Sequence, residues 1–219
     1  MSQPHTLDKQ GWHSRGYLPH FSGGATPQSI TIRLFDSLPQ VLLDRWTYEL
    51  SFDRPEEREA ELRRRIEAHL DKGIGSCWLA NPVIANLIQD ALLYFDDERY
   101  NLNCWTVMPN HVHLIISPLT RFNLTRIMHS LKSFTANEAN KVLRRRGTFW
   151  MPDYFDRYIR DERHFAAAVA YIENNPVKAG LCKKASDWKF GSAGFGRRRR
   201  SSSVLGLRTR CPRSQVIFC

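Results

Sequence analysis

Two histidines one residue apart are the sharpest chemical signal in the sequence. His111 and His113 stand in the segment Met-Pro-Asn-His-Val-His-Leu-Ile-Ile, which begins at Met108. Side chains alternate across a β-strand, so both imidazoles are predicted to share one face of a sheet. Two imidazoles about 7 Å apart along a strand can hold one cation, and histidine is the commonest metal ligand. The alternative is a pair of solvated histidines on an exposed strand face.

The second signal is a tyrosine followed by an asparagine at helical spacing. Tyr171 and Asn175 lie in the segment Tyr-Ile-Glu-Asn-Asn-Pro-Val-Lys-Ala-Gly, and residues four apart share a helix face. The small residues Ala167 and Ala168 would leave room beside the phenol. Asn175 offers a carbonyl oxygen as a third metal ligand. Taken alone, Tyr171 is equally compatible with a half-buried aromatic residue, and Asn175 is equally compatible with a residue at the C-terminal end of a helix.

The overall charge favours a polyanionic partner, but only weakly. The chain of 219 residues has a formal net charge of +10 from 32 basic and 22 acidic residues. Seven arginines and no acidic residue follow position 194, which leaves the remainder only mildly basic. Five scattered cysteines without CxxC spacing argue against a zinc ribbon or a disulfide framework. No secretory signal or spanning segment is recognisable, so a cytoplasmic protein is expected.

The elements that must position these residues follow from the hydrophobic pattern and from the helix-capping residues. Met108-Pro109-Asn110 is predicted to be a tight turn between two strands of a hairpin. The predicted elements are a strand at 28–35, helices within 40–72 divided near Pro55, a helix from Pro82 to about 96, strands at 101–107 and 111–117, a helix from 124 to about 144, a strand at 154–160, and a helix from 162 to about 174 stopped by Pro176. This order predicts an α+β fold, with one antiparallel sheet and helices packed on one face.

The chain divides into three parts by composition. Residues 1–27 lack periodicity and are interpreted as an irregular arm, and residues 28–193 hold all the predicted elements. Residues 194–219 are rich in arginine and serine and are predicted to be a disordered basic tail. This tail either grips DNA without sequence preference or is an altered end without a selected role.

Several segments together resemble the REP-associated tyrosine transposases, a single-tyrosine branch of the His-hydrophobic-His nucleases. The resemblance rests on His111-Val-His113, on Tyr171, and on the Asn-Pro-Val-Lys-Ala-Gly sequence from Asn175. Supporting segments begin at Arg15, Ile30, Trp105 and Tyr154, and the likeness extends from about residue 12 to 193.

The resemblance implies a ferredoxin-like or RRM-like sheet and a specific chemistry. Tyr171 would be the nucleophile, and His111, His113 and Asn175 would bind Mg²⁺ or Mn²⁺. The substrates would be single-stranded DNA hairpins of repetitive extragenic palindromes, with a guide tetranucleotide beside them. Cleavage would leave a 5′-phosphotyrosine and a free 3′-hydroxyl. The phosphotyrosine ester conserves the bond energy, so a 3′-hydroxyl could rejoin the strand without ATP.

Further residues are candidates for holding DNA. The predicted phosphate contacts are Lys132, Arg157, Arg160 and Lys178, and the predicted contacts to the guide tetranucleotide are Arg15 and Tyr17. Each of the basic residues is equally compatible with an ordinary solvated surface charge. Trp105 and Tyr158 either stack on bases or belong to the core.

Two other functions remain compatible with the sequence. One is a module that binds nucleic-acid hairpins without cutting them, and the other is a metal nuclease in which water attacks. The transposase hypothesis requires the Tyr171 phenol and the two imidazoles to converge on one phosphate. A nucleoid-associated monomer or homodimer without membrane contact is expected.

Overall fold

A computed structural model describes residues 11–14, 19–22 and 26–195. Within the predicted N-terminal arm, β1 (Gly11–Ser14) pairs antiparallel with β2 (Pro19–Ser22). This hairpin stands where the sequence indicated irregular chain. Arg15 and Tyr17 lie outside the described residues, as do residues 196–219 of the basic tail. Their predicted contacts to DNA stay predictions.

The central sheet has four antiparallel strands in the order β4-β5-β3-β6. The strands are β3 (Gln28–Arg33), β4 (Tyr100–Val107), β5 (His111–Pro118) and β6 (Phe155–Tyr158). β4 and β5 form the predicted hairpin around Met108-Pro109-Asn110. β5 lies between two neighbours, so its backbone polar groups are paired along both edges.

One face of the sheet carries the main hydrophobic core. Alternate residues of β5, Val112, Leu114 and Ile116, are at most 1% exposed and pack there. Two helices cover this face, α3 (Pro82–Tyr94) and α4 (Leu124–Val142). Asn81 and Asn123 cap them as predicted, since each side chain accepts a hydrogen bond from the first turn. Trp105 is 5% exposed in this core, so it is not available to stack on bases.

The other face is also covered, although the sequence suggested helices on one side only. Helix α5 (Glu162–Lys178) packs there through Ile172 against Cys104 and Ile115. Helices α1 (Gln40–Glu49) and α2 (Pro55–Leu70) form a further small cluster that reaches Phe155 of β6. The predicted α+β class with an antiparallel sheet is confirmed. The additional cover arises because the second face holds apolar residues among its polar ones.

Helix α5 continues beyond Pro176, where the sequence predicted its end. Pro176 lies in the last turn of α5. Its missing N–H therefore removes only one helical hydrogen bond, close to the C-terminal end of the helix. The helix is closed by Gly180, whose φ of 71° is in the left-handed region. Its N–H donates to Val177 O at 3.0 Å, and the Leu181 N–H donates to Pro176 O at 2.8 Å. The consequence is that Asn175 remains helical, on the same face as Tyr171.

The last described residues cover the free edge of the sheet. Val107 of β4 donates its backbone N–H to Phe190 O at 2.8 Å, and Thr106 forms a bridge with Gly191. Ser192 donates its hydroxyl to Glu173 of α5 at 2.7 Å. This segment therefore belongs to the folded body. None of the described helices combines the length and apolarity required to cross a bilayer.

Candidate active site

The two imidazoles of β5 lie side by side, as their spacing predicted. His111 is 0% exposed and His113 is 2% exposed, so they are not solvated surface residues. Their Nε2 atoms are 3.1 Å apart and their ring centroids 4.6 Å apart. The two nitrogens therefore face the same small volume.

The outer nitrogens of both rings are held by hydrogen bonds. Asn110 donates its amide N–H to Ile74 O at 2.9 Å, which leaves its Oδ1 facing His111 Nδ1 at 2.7 Å. Because that oxygen can only accept, His111 carries its proton on Nδ1 and presents a lone pair at Nε2. The Thr31 hydroxyl lies 2.8 Å from His113 Nδ1 and can accept or donate. Where it accepts, two lone pairs face each other across 3.1 Å, an arrangement that a shared cation stabilises.

Burial keeps both imidazoles neutral at physiological pH. Desolvation lowers the pKa of His113 to about 3, with a smaller contribution from the positive charge of Lys178. The pKa of His111 falls well below its usual value, first through desolvation and then through His113 and Lys178. A neutral imidazole is the form that binds a metal ion, so the site suits coordination without prior loss of a proton.

Tyr171 and Asn175 bring the α5 face to the imidazoles. The Tyr171 ring centroid is 5.7 Å from that of His113. The Tyr171 hydroxyl is buried and has no aligned hydrogen-bond partner among the described residues, and the same holds for both amide atoms of Asn175. Asn175 is 0% exposed. Buried polar atoms without partners cost about 1–3 kcal/mol each, so they mark a place built for a ligand.

A pocket of about 300 Å³ lies between the Tyr171 phenol and the His113 imidazole. Its walls come from α2, α5, β3 and β6, and both Tyr171 and His113 line it. The predicted small residues Ala167 and Ala168 also line it, which agrees with the expectation of free space beside the phenol. The polar or charged residues that line it are Ser29, Thr31, Glu59, Arg63, Glu67, His113, Asp156, Arg157, His164 and Tyr171.

Glu67 of α2 is a site residue that the sequence analysis missed. Its charge and hydrogen-bonding capacity act on the Tyr171 hydroxyl, and Asp71 adds a second negative charge one turn further along α2. Burial raises the pKa of Tyr171 well above its usual value, and the nearby charges of Glu67 and Asp71 raise it further. In the sequence, α2 is a dense mixture of both charge signs typical of a solvated helix. Nothing in that pattern indicates which carboxylate faces the pocket.

The residues present fit a divalent cation with mixed nitrogen and oxygen ligands. Two nitrogens about 2.1 Å from one cation lie about 3.0 Å apart in octahedral geometry and about 3.4 Å apart in tetrahedral geometry. The observed 3.1 Å between the imidazole Nε2 atoms is close to the octahedral value. Within the described part of the chain, no three His, Cys, Asp or Glu side chains are grouped to hold a metal. Asn175, the third ligand that the resemblance implies, has a buried amide oxygen without a hydrogen-bond partner among the described residues.

The predicted phosphate-binding residues differ in how accessible their charges are. Arg157 lines the pocket, and its pKa is lowered by burial and by the nearby Arg63 and Arg160. Lys132 donates to Met151 O at 2.8 Å and to Pro152 O at 2.6 Å. A phosphate would have to displace one of these carbonyl groups to reach the Lys132 ammonium.

Lys178 and His164 have local partners as well. The Lys178 ammonium pairs with Asp71 Oδ2 at 2.7 Å, although its side chain is 56% exposed. His164 begins α5, where its backbone N–H donates to the capping Asp161 at 2.7 Å. The Arg160 guanidinium lies 5.6 Å from the ring centroid of Tyr158, and neither residue lines the pocket.

Residues 81–175 match the protein-family model described as Transposase IS200 like. All four central residues, His111, His113, Tyr171 and Asn175, lie within the matched range. Over 98 residues the chain is 31% identical to the REP-associated tyrosine transposase of Escherichia coli (strain K12), which covers 44% of this chain and 56% of that relative. It is 28% identical over 96 residues to a putative REP-associated tyrosine transposase of Haemophilus influenzae, covering 39% and 54%.

A solved structure supports the fold. The structure of a REP-associated tyrosine transposase bound to a REP hairpin matches with a TM-score of 0.53 and 18% identity, over 83% of this chain and 84% of that chain. The chain spans a little over half the length of each of these two curated relatives, 56% and 54%. The resemblance to REP-associated tyrosine transposases that the sequence motifs indicated is confirmed.

Proposed function

We propose that this protein cleaves and rejoins single-stranded DNA at REP-type hairpins, with Tyr171 as nucleophile and a divalent metal ion as cofactor. The observation that carries the proposal is the convergence of Tyr171 and His113 on one pocket, with ring centroids 5.7 Å apart. A hairpin-binding module would have no need to bury a phenol and two neutral imidazoles together. The relatives and the solved structure named above support the same class of reaction.

The role of each residue in this proposal follows from its position in the site. Tyr171 Oη attacks the scissile phosphorus, the bond to the 3′-oxygen breaks, and a 5′-phosphotyrosine and a 3′-hydroxyl result. Asn110 and Thr31 hold the imidazoles with their Nε2 atoms toward the cation site. His111, His113 and Asn175 would hold Mg²⁺ or Mn²⁺, which supplies positive charge to neutralise a non-bridging phosphate oxygen. The helix α5 fixes the phenol relative to Asn175, because one helical turn separates them.

Binding of DNA would use the basic residues around the pocket mouth. Arg157 of β6 lines the pocket together with Tyr171, and Arg160 lies two residues after the end of β6. Their mutual repulsion would be relieved by a phosphate, which makes them stronger candidates than Lys132, whose ammonium is already held by two carbonyls. Recognition of a guide tetranucleotide by Arg15 and Tyr17, and association with the nucleoid, are further parts of this proposal.

The decisive experiment is a cleavage assay with a labelled single-stranded REP hairpin and Mn²⁺, analysed on a denaturing gel. The wild-type protein is expected to give a DNA adduct that resists denaturation, and Tyr171→Phe is expected to give none. His111→Ala should abolish cleavage while hairpin affinity falls only modestly, because the imidazole binds the metal rather than the hairpin.

The same gel separates the rival functions. Cleavage without an adduct would indicate that water attacks, and an adduct that persists in Tyr171→Phe would show a different nucleophile. Binding without cleavage would indicate a hairpin-binding module. Tyr48→Phe, an exposed tyrosine of α1 that does not line the pocket, serves as the matched control and should retain the adduct.

A further inference from the structure

The helices α2 and α5 are joined at the nucleophile by a small charged cluster. Glu67 and Asp71 are one turn apart on α2 and both act on the Tyr171 hydroxyl. From α5, Lys178 donates to Asp71 Oδ2 at 2.7 Å, and its ammonium lies 5.5 Å from the Tyr171 ring centroid. The phenol is thus near a lysine of its own helix and two carboxylates that are about a hundred residues away in the sequence.

The buried position of the phenol raises the question of where its proton goes. The Tyr171 hydroxyl is inaccessible to solvent and lacks an aligned partner in the described part of the chain. A phenol has an ordinary pKa of about 10, so almost no free phenolate is present at neutral pH. Attack therefore needs a proton acceptor in contact with the hydroxyl.

Several groups near the phenol could accept a proton, and among the described residues the geometry favours Glu67. Asp71 does not line the pocket and is held through Oδ2 by Lys178, and Glu59 is engaged by Arg63 at 2.7 Å two turns before Glu67. Asp156 already has an interaction partner, and His164 Nδ1 accepts the Arg160 N–H at 3.3 Å. The amide of Asn175 cannot take up a proton. Both Nδ1 atoms of the imidazoles already face a partner, and their Nε2 atoms face each other. Glu67 remains, half-buried on the pocket wall and close enough to affect the hydroxyl.

We propose that the Glu67 carboxylate accepts the phenolic proton of Tyr171 as the phenol attacks phosphorus, an inference that rests on the proposed function. The bond from Tyr171 Oη to phosphorus forms while the bond from phosphorus to the 3′-oxygen breaks. The proton moves from Tyr171 to Glu67 and then, through water, to the departing 3′-oxygen. Rejoining reverses each transfer, so the carboxylate is unchanged after a full cycle.

The environment of Glu67 is consistent with both halves of this exchange. Desolvation raises the pKa of Glu67 and the negative charge of Asp71 adds to the rise, while hydrogen bonding with Tyr171 and the charges of Arg63 and Lys178 oppose it. A carboxylate whose pKa is above its usual range accepts a proton more readily and can still release it. Arg63 lies one turn before Glu67 on α2, and Lys178 lies on α5, so both helices contribute positive charge near Glu67.

The test is the single-turnover rate of adduct formation on the same hairpin, with protein in excess and Mn²⁺ saturating. Glu67→Gln is expected to slow adduct formation by about 100-fold or more, the usual range for loss of an acid–base group. Glu67→Asp should retain part of the rate, because the carboxylate is kept. In Glu67→Ala, added formate should restore adduct formation in proportion to its concentration. Hairpin affinity and Mn²⁺ affinity should stay near wild type in all three variants.

Glu61→Gln is the matched control, since Glu61 lies on α2 and pairs with Arg64 and Arg65 outside the pocket. It should react at the wild-type rate. A Glu67→Gln rate equal to that of Glu61→Gln would overturn the role of Glu67 while leaving the proposed function intact. Failure of formate to rescue Glu67→Ala would also overturn it, because a merely structural loss does not respond to a small carboxylate. Absence of any adduct from the wild-type protein would instead overturn the proposed function.

Discussion

The two halves of the site differ in how completely their polar atoms are satisfied. On β5, the outer nitrogen of each imidazole has a close partner, Asn110 for His111 and Thr31 for His113. On α5, the Tyr171 hydroxyl and both amide atoms of Asn175 are buried without an aligned partner in the described chain. The strand half is therefore held by protein hydrogen bonds, whereas the polar atoms of the helix half lack such support.

This difference assigns separate tasks to the two elements. A strand in the middle of a sheet cannot shift without breaking hydrogen bonds on both edges, so the positions of the two imidazoles are fixed. In the proposed function, the helix supplies the reacting oxygen and one further metal ligand, and both are buried polar groups without an aligned partner in the described chain. The contrast can be sharpened by measurements on each half.

The largest expected effect is the loss of stability at acidic pH in the presence of a chelator. Folding keeps the buried imidazoles neutral, with the pKa of His113 lowered to about 3. The unfolded chain takes up protons below about pH 6.5, so it binds more protons than the folded state in that range. Between pH 6.5 and pH 5, the free energy of unfolding should fall by about 2 kcal/mol for each buried imidazole.

Urea unfolding at several pH values measures this dependence. His113→Gln should lose the contribution of one imidazole, while the contributions of histidines outside the site stay in both curves. An unfolding free energy with the same pH dependence in wild type and His113→Gln would contradict the buried neutral state.

The next effect concerns the hydrogen bond that orients His113. Thr31→Val keeps the shape of the side chain but removes the hydroxyl 2.8 Å from His113 Nδ1. Loss of such an outer partner typically lowers metal affinity by about 10–100-fold. Calorimetric titration with Mn²⁺ measures the change. The control is Thr47→Val, which removes a hydroxyl bonded to Leu43 O on α1 and should leave Mn²⁺ affinity unchanged. An equal loss of Mn²⁺ affinity in both variants would contradict the orienting role of Thr31.

The smallest expected effect is a gain in stability on the helix half. Asn175→Leu replaces two unpaired buried amide atoms by methyl groups of the same branching. The metal-free protein should become more stable by about 1 kcal/mol, because the cost of those unpaired atoms disappears. Stabilisation by added Mn²⁺ should be lost at the same time.

Thermal unfolding with and without Mn²⁺ separates these two consequences of Asn175→Leu. Asn174→Leu changes the exposed neighbour, whose amide bonds only Ala170 O, and should alter neither quantity appreciably. A destabilised metal-free Asn175→Leu protein would show that the amide has a partner in solution.

The sequence predicted most of the fold because its signals are local. Alternating apolar residues defined β3 and β5, and Asn81 and Asn123 marked the starts of α3 and α4 through their own side chains. The end of α5 was predicted wrongly at Pro176, because a proline in the last turn removes only one hydrogen bond and Gly180 ends the helix instead. The cover on the second face of the sheet also escaped prediction. A helix whose polar face is as charged as that of α2 gives no sign that part of it will be buried.

For the site itself, the periods of the two regular structures already decide which side chains share a face. The alternation of a strand puts His111 beside His113, and one helical turn puts Asn175 beside Tyr171, whatever surrounds them. Only the tertiary structure decided that these two faces meet, and that Glu67 and Asp71 of α2 meet Tyr171 and Lys178 of α5. The physical reason is that contacts between distant segments depend on how whole elements pack, and the charge pattern of an isolated helix does not specify its neighbour.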